Sequence, residues 1–172
     1  MIPDTFRCTL YPDGVTEVPF MPWDHFVYGR AESIPLGFLE SDGGVDAALF
    51  SLHAASGESF AGTGERFDKV DLSGRTLELE NTDGMGVNNR RCYKNIPFYL
   101  SNRPYGLFMN TSHFIRLSLA DVSTRAAQAR IEEPVVDLFV FGGGSLERVL
   151  YNYRRVTGFP QELPLWSYGT WM

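Results

Sequence analysis

Three short apolar runs follow one another with almost nothing between them: IPFYL (Ile96–Leu100), YGLFMN (Tyr105–Asn110) and FIRLSL (Phe114–Leu119). The separators are SNRP and TSH, and Pro104 suits a turn but not the middle of a sheet. Links this short join antiparallel neighbours, because parallel strands need a crossover of a dozen or more residues. The spacing therefore predicts an antiparallel meander. Upstream, TLELE (Thr76–Glu80) alternates apolar and charged residues, which puts Leu77 and Leu79 on one face of a half-buried strand. Downstream, VVDLFVF (Val135–Phe141) is apolar enough to be buried on both faces.

The first part of the chain is cut by Pro3, Pro12, Pro19, Pro22, Pro35 and the turn SDGGVD (Ser41–Asp46). GVTEVPF (Gly14–Phe20) and ALFSLH (Ala48–His53) are candidate strands between these breaks. Short extended pieces separated by Gly and Pro mark an all-β domain.

One segment predicts a helix with both ends written into it. Ser145 is an N-cap and Glu147 lies in the first turn, where the helix dipole favours a negative charge. Leu146, Val149, Leu150 and Tyr153 share a face; Gly158 fits the position after the last turn, and Pro160 stops continuation. After it comes LPLWSYGTWM (Leu163–Met172), an apolar stretch that reads as a core strand, although chain ends are usually polar and frayed unless tied down. The expectation is a mainly β chain, an antiparallel β-sandwich with one capped helix near its C-terminus.

Composition excludes some function classes. Fifteen Lys and Arg against 21 Asp and Glu leave a net charge of −6, which opposes contact with nucleic acid or anionic lipid. No apolar run approaches the ~20 residues needed to span a bilayer. The start, MIPDTFRCTL, has no basic segment leading into an apolar one and is not a signal peptide, so a cytoplasmic location is expected. His25, His53 and His113 stand alone with no ligand spacing, so neither a metal nor a cofactor is expected. Cys8 and Cys92 belong to no metal or redox motif, and buried thiols are preferred over a disulfide. An aromatic share of 14% fits either a bulky core or a sugar-holding surface.

Three polar motifs remain. FGGGS (Phe141–Ser145) before the helix lacks the Lys and Ser/Thr of a phosphate-binding loop, and a flexible strand-to-helix turn accounts for its glycines. GTGERF (Gly62–Phe67) suits a tight loop anchored through Glu65 and Arg66 by charge-assisted hydrogen bonds. The long loop Asn81–Arg91 is of a kind often functional in compact domains. Its Asp83 either accepts hydrogen bonds from hydroxyl groups or simply forms a turn with Gly84.

Taken in order, GTGERF, NTDG, YKNIPFYLSNRPYGLFMN (Tyr93–Asn110) and VFGGGSLERVLYNYRRVTGFPQELPLWSYGTWM resemble glycoside hydrolase family 31, in its bacterial α-xylosidase and α-glucosidase branch. The resemblance runs from about Gly57 to Met172, and residues 1–56 carry no motif of it. It implies a galactose-mutarotase-like sandwich over 1–143, a helix and linker over 144–163, and over 164–172 the first strand of a truncated (β/α)8 barrel. It implies further that both catalytic aspartates lie on that barrel. No residue here is then catalytic, and the chain alone is inactive on an oligosaccharide or α-glycoside. The family's sandwich sends a loop over the barrel mouth, and its sugar-binding aspartate corresponds to Asp83. Glu80 stands where an aromatic residue is common and Thr82 where a basic one often sits, so the sugar preference stays open. Without its barrel such a chain exposes an apolar face, and either self-association into a homo-oligomer or an ordered tail packed back on its own sandwich is expected. The alternative is a free-standing carbohydrate-binding or interaction module.

Overall fold

The structure is a computed structural model that describes residues 4–10, 36–83 and 92–170. Among the described residues, ten strands form two five-stranded antiparallel sheets packed face to face. They are β1 (Thr5–Leu10), β2 (Leu36–Ser41), β3 (Gly44–His53), β4 (Phe60–Gly64), β5 (Arg75–Leu79), β6 (Asn95–Ser101), β7 (Tyr105–Met109), β8 (Ile115–Leu119), β9 (Ala126–Ile131) and β10 (Val136–Phe141). One sheet has the order β1-β10-β7-β6-β4 and the other β2-β3-β9-β8-β5. The expected sandwich is present. The candidate strand at Gly14–Phe20 lies outside the described residues.

The meander is only half realised. β6 and β7 pair as a hairpin, Phe98 opposite Phe108 and Ser101 opposite Tyr105. β10 occupies the other edge of β7, with Leu138 opposite Met109, so β8 finds no free edge on β7. It crosses to the second sheet and pairs with β5 and β9. The SNRP hairpin turn is secured from outside: Asn102 Nδ2 donates to Gly57 O at 3.2 Å, and the Ser59 amide donates to Asn102 Oδ1 at the same distance.

Between the sheets lies a core with period-2 logic. Phe60, Tyr99, Leu107, Met109, Val136 and Leu138 point in from one sheet, and Phe50, Leu77, Leu79, Ile115, Leu117, Leu119 and Ile131 from the other. The alternate residues of the first sheet meet the helix α1 (Leu146–Thr157) on its outer face, where Phe98, Phe141 and Val149 are buried together. β10 is therefore covered on both faces, as its apolar run requires. Tyr153 stacks on Phe98 with ring centroids 4.0 Å apart. At Gly106 a Cβ would come within 2.9 Å of Val149 Cγ1, so the glycine sets how closely the helix sits on the sheet.

Both helix ends behave as expected. Ser145 Oγ accepts from the Arg148 amide at 3.2 Å, and the Gly158 amide donates to Arg154 O at 2.8 Å. The apolar face differs in one place. Leu146 is 43% exposed, whereas Asn152 is fully buried against the end of β10, its Nδ2 donating to Gly142 O at 3.1 Å. That bond offsets part of the cost of burying an amide.

The segment Leu163–Met172, expected as a strand, does not form one in its described part. Leu165–Tyr168 makes a single 3-10 turn, with Leu165, Trp166 and Tyr168 exposed. A strand needs a hydrogen-bonded neighbour, and neither sheet reaches this segment. Of the two cysteines, both free, Cys92 is buried as expected and Cys8 is exposed on the edge strand β1.

Candidate functional site

The two sheets meet along one side of the sandwich, where β4 and β6 end one sheet and β5 ends the other. The chain leaves β5 at Leu79, runs through Glu80, Asn81, Thr82 and Asp83, and returns at Cys92 to enter β6. The two limbs of this excursion are pinned to each other. Asn81 and Cys92 form an isolated parallel bridge, and the Thr82 amide donates to Cys92 O at 3.2 Å.

Asn95, the first residue of β6, sits at the centre of the pinning. Its Nδ2 donates to Glu80 O at 2.6 Å and to Cys92 O at 3.1 Å, one carbonyl on each limb. Its own amide donates to Asn81 Oδ1 at 2.6 Å. Its Oδ1 accepts from Arg66 Nη2, which also donates to Glu78 O at 2.6 Å. Burial lowers the Arg66 guanidinium below its ordinary pKa, with Cys92 and Asp68 acting in the opposite direction. The group stays charged, since arginine does not lose its proton in proteins.

GTGERF delivers Arg66 to this position. β4 carries a bulge between Gly62 and Gly64, and Gly64 has φ 94°. A Cβ at Gly64 would lie 2.0 Å from Lys94 O, so nothing larger than glycine lets the two strands approach. Beyond it the Glu65 amide donates to Lys94 O at 3.1 Å, and Glu65 Oε1 pairs with Lys94 Nζ at 2.9 Å. The Cys92 thiol donates to Glu65 O. The anchoring expected of Glu65 and Arg66 is thus present, although GTG itself is the end of an edge strand. Thr63 Oγ1 and Arg66 Nε are buried here with no hydrogen-bond partner among the described residues, which adds to the cost of the corner.

Asp83 is the first residue past this pinned region. It is exposed, and no hydrogen bond or ion pair engages its carboxylate among the described residues. A solvated carboxylate on a fixed stem can accept hydrogen bonds from hydroxyl groups of a ligand. The turn with Gly84, the bland alternative for Asp83, lies outside the described residues.

Two other acidic groups, Glu58 and Asp137, are committed to the fold. Glu58 is buried, and its two oxygens accept from Ser101 Oγ and the Ala55 amide. Burial acts to raise its carboxyl, but these hydrogen bonds outweigh it and hold the group below its ordinary range. Asp137 accepts from Arg7, Thr9 and Asn110. At FGGGS the glycines form the turn into α1, and the Arg148 amide at the helix N-terminus is already taken by Ser145. Sequence reasoning did not find Asn81 and Asn95: they are 14 residues apart, and no local pattern couples them.

Residues 6–115 match the family described as the glycosyl hydrolase 31 N-terminal galactose mutarotase-like domain. An alpha-xylosidase of Emericella nidulans is 35% identical over 124 residues, which are 72% of this chain and 16% of that protein. An alpha-xylosidase of Lactiplantibacillus pentosus is 32% identical over 67% of this chain and 15% of its own length. Among solved structures, a cycloalternan-forming enzyme of Listeria monocytogenes in complex with a pentasaccharide substrate superposes with a TM-score of 0.73 at 25% identity. That match covers 80% of this chain and 14% of the enzyme. The chain thus spans about one sixth of the length of the relatives it matches.

Proposed function

Because the chain belongs to the N-terminal galactose mutarotase-like domains of glycosyl hydrolase family 31, we propose that it serves a retaining α-glycosidase as a non-catalytic domain that lends Asp83 to the sugar site. The observation that carries this proposal is the pinned stem at the sandwich edge, which ends in the exposed Asp83. Two of the relatives are named alpha-xylosidases, so an α-xyloside or the related α-glucoside is the substrate class proposed.

Retaining hydrolysis needs two carboxylates on opposite sides of the scissile bond, one as nucleophile and one as acid/base. In this proposal both belong to a catalytic domain reached through α1 and the segment after it. Residues 144–163 are the connector, and 164–172 pass into the first strand of that domain. Phe159, Leu163, Leu165, Trp166 and Tyr168 are exposed here and supply apolar surface for the contact. The 172-residue chain by itself then turns over neither nitrophenyl α-xyloside nor nitrophenyl α-glucoside.

Asp83 is tested in the enzyme that joins this chain to its catalytic domain. Asp83→Ala removes one partner of a sugar hydroxyl, a loss of about 1–3 kcal/mol when the pair is desolvated. The expected result is a 5- to 150-fold fall in kcat/KM (roughly, from that range). Unchanged kinetics remove Asp83 from the site.

A further inference from the structure

The chain from Glu78 to Thr82 is held almost residue by residue. Glu78 O accepts from Arg66, Leu79 pairs with Ile115 in the β5–β8 ladder, and Glu80 O accepts from Asn95. Asn81 Oδ1 accepts from the Asn95 amide, and the Thr82 amide donates to Cys92 O. The last bond falls one residue before Asp83. Two residues, Asn95 and Arg66, supply three of these five contacts, two through their side chains and one through the Asn95 amide, and neither comes from the strand they steady. Asn95 starts β6 and Arg66 follows β4, both in one sheet, whereas Glu78 belongs to β5 of the other.

We infer that Asn95 and Arg66 are positioning residues for Asp83: they clasp the two sheets at this edge and aim the carboxylate without touching the sugar. The inference rests on the proposal that Asp83 binds substrate. The chemistry of the pair fits the task. The buried Asn95 amide spans the two limbs with a single group, donating to Glu80 O and Cys92 O while accepting from Arg66. The planar guanidinium carries several donors in a fixed fork, so its direction is set along with its charge. A misplacement of about 1 Å at a binding group can cost on the order of 100-fold in rate. A carboxylate one residue beyond its last tether is exposed to that kind of error.

Asn95→Asp is close to isosteric and keeps an acceptor for Arg66, but it loses the donor to both carbonyls. Arg66→Ala removes the other half, and Arg66→Lys restores a charge and a donor without the fork. The enzyme carrying this chain is assayed on whichever of nitrophenyl α-xyloside and nitrophenyl α-glucoside the wild type hydrolyses, with thermal unfolding followed alongside. Asn95→Asp and Arg66→Ala are expected to raise KM by about tenfold with a smaller effect on kcat, Arg66→Lys to recover part of it, and Asp83→Ala to abolish the difference. In the double variant Asn95→Asp/Asp83→Ala, KM should match that of Asp83→Ala alone. If Asp83→Ala is kinetically silent, the sugar-contact proposal fails, and the inference with it. If Asp83→Ala is impaired but Asn95→Asp and Arg66→Lys bind substrate like the wild type, or their losses simply add to that of Asp83→Ala, the clasp does not act through Asp83 and only the inference is overturned.

Discussion

Asp137 is the most heavily bonded carboxylate at the open edge of the helix-bearing sheet, and replacing it by Asn separates its charge from its shape. Arg7 reaches it with two donors, Nε at 2.9 Å and Nη2 at 2.6 Å, and Asn110 Nδ2 and Thr9 Oγ1 donate at 2.7 and 3.1 Å. These bonds tie β1 to β10 and to the end of β7. The Arg7 hydrogen bonds lead in holding the carboxyl at about 2, against a smaller opposing effect of burial, with Asn110 and Thr9 adding to the depression. The ordinary value is 3.8, and at 1.36 kcal/mol per unit the difference amounts to about 2.5 kcal/mol. Asp137 is 12% exposed but Arg7 is 56% exposed, so screening reduces the expected contribution to about 1–2 kcal/mol.

The pH dependence follows from the sign of the shift. A carboxyl depressed in the folded state stabilises fully above its unfolded value near 4, and the contribution disappears as pH falls through about 2. Urea unfolding followed by circular dichroism, run from pH 6 down to pH 2 on wild type and Asp137→Asn, measures this directly. The wild type should be more stable by about 1–2 kcal/mol at pH 6, and the gap should close between pH 4 and 2. A gap that stays constant over that range, or one that widens in acid, refutes the assignment of the stabilisation to the ionised carboxylate.

Two further outcomes follow. Gly64→Ala places a methyl group 2.0 Å from the Lys94 carbonyl at a left-handed φ, and should lower stability by more than about 2 kcal/mol as read by the unfolding midpoint. The exposed tail should make the isolated chain self-associate; light scattering is expected to show a higher mass for the wild type than for Leu165→Ser/Trp166→Ser.

How much of this was legible in the sequence depends on which physical signal carried each element. β10 and α1 were readable because a long apolar run and a capped 3.6-residue period are local properties. β9 was not: its inward residues are Ala127, Ala129 and Ile131, and two alanines beside Gln128 and Arg130 carry little strand preference. The transfer of β8 to the second sheet was hidden as well, since it depends on β10 occupying the edge of β7 from some 30 residues away. The same holds for the site. Asp83 came from a family resemblance and Arg66 from its motif, but the partnership of Arg66 with Asn95 joins residues 29 apart that meet only after both sheets close. Leu165–Tyr168 shows the other limit: an apolar pattern states that a segment wants cover, and pairing partners decide whether it becomes a strand.

The most direct measurement is a crystal structure of the enzyme containing this chain with a bound α-xyloside or α-glucoside product. An Asp83 carboxylate oxygen is expected within about 2.5–3.0 Å of a sugar hydroxyl, next to an intact Asn95–Arg66 pairing. A sugar seated in the catalytic domain with Asp83 far from it, turned into solvent, would contradict the account.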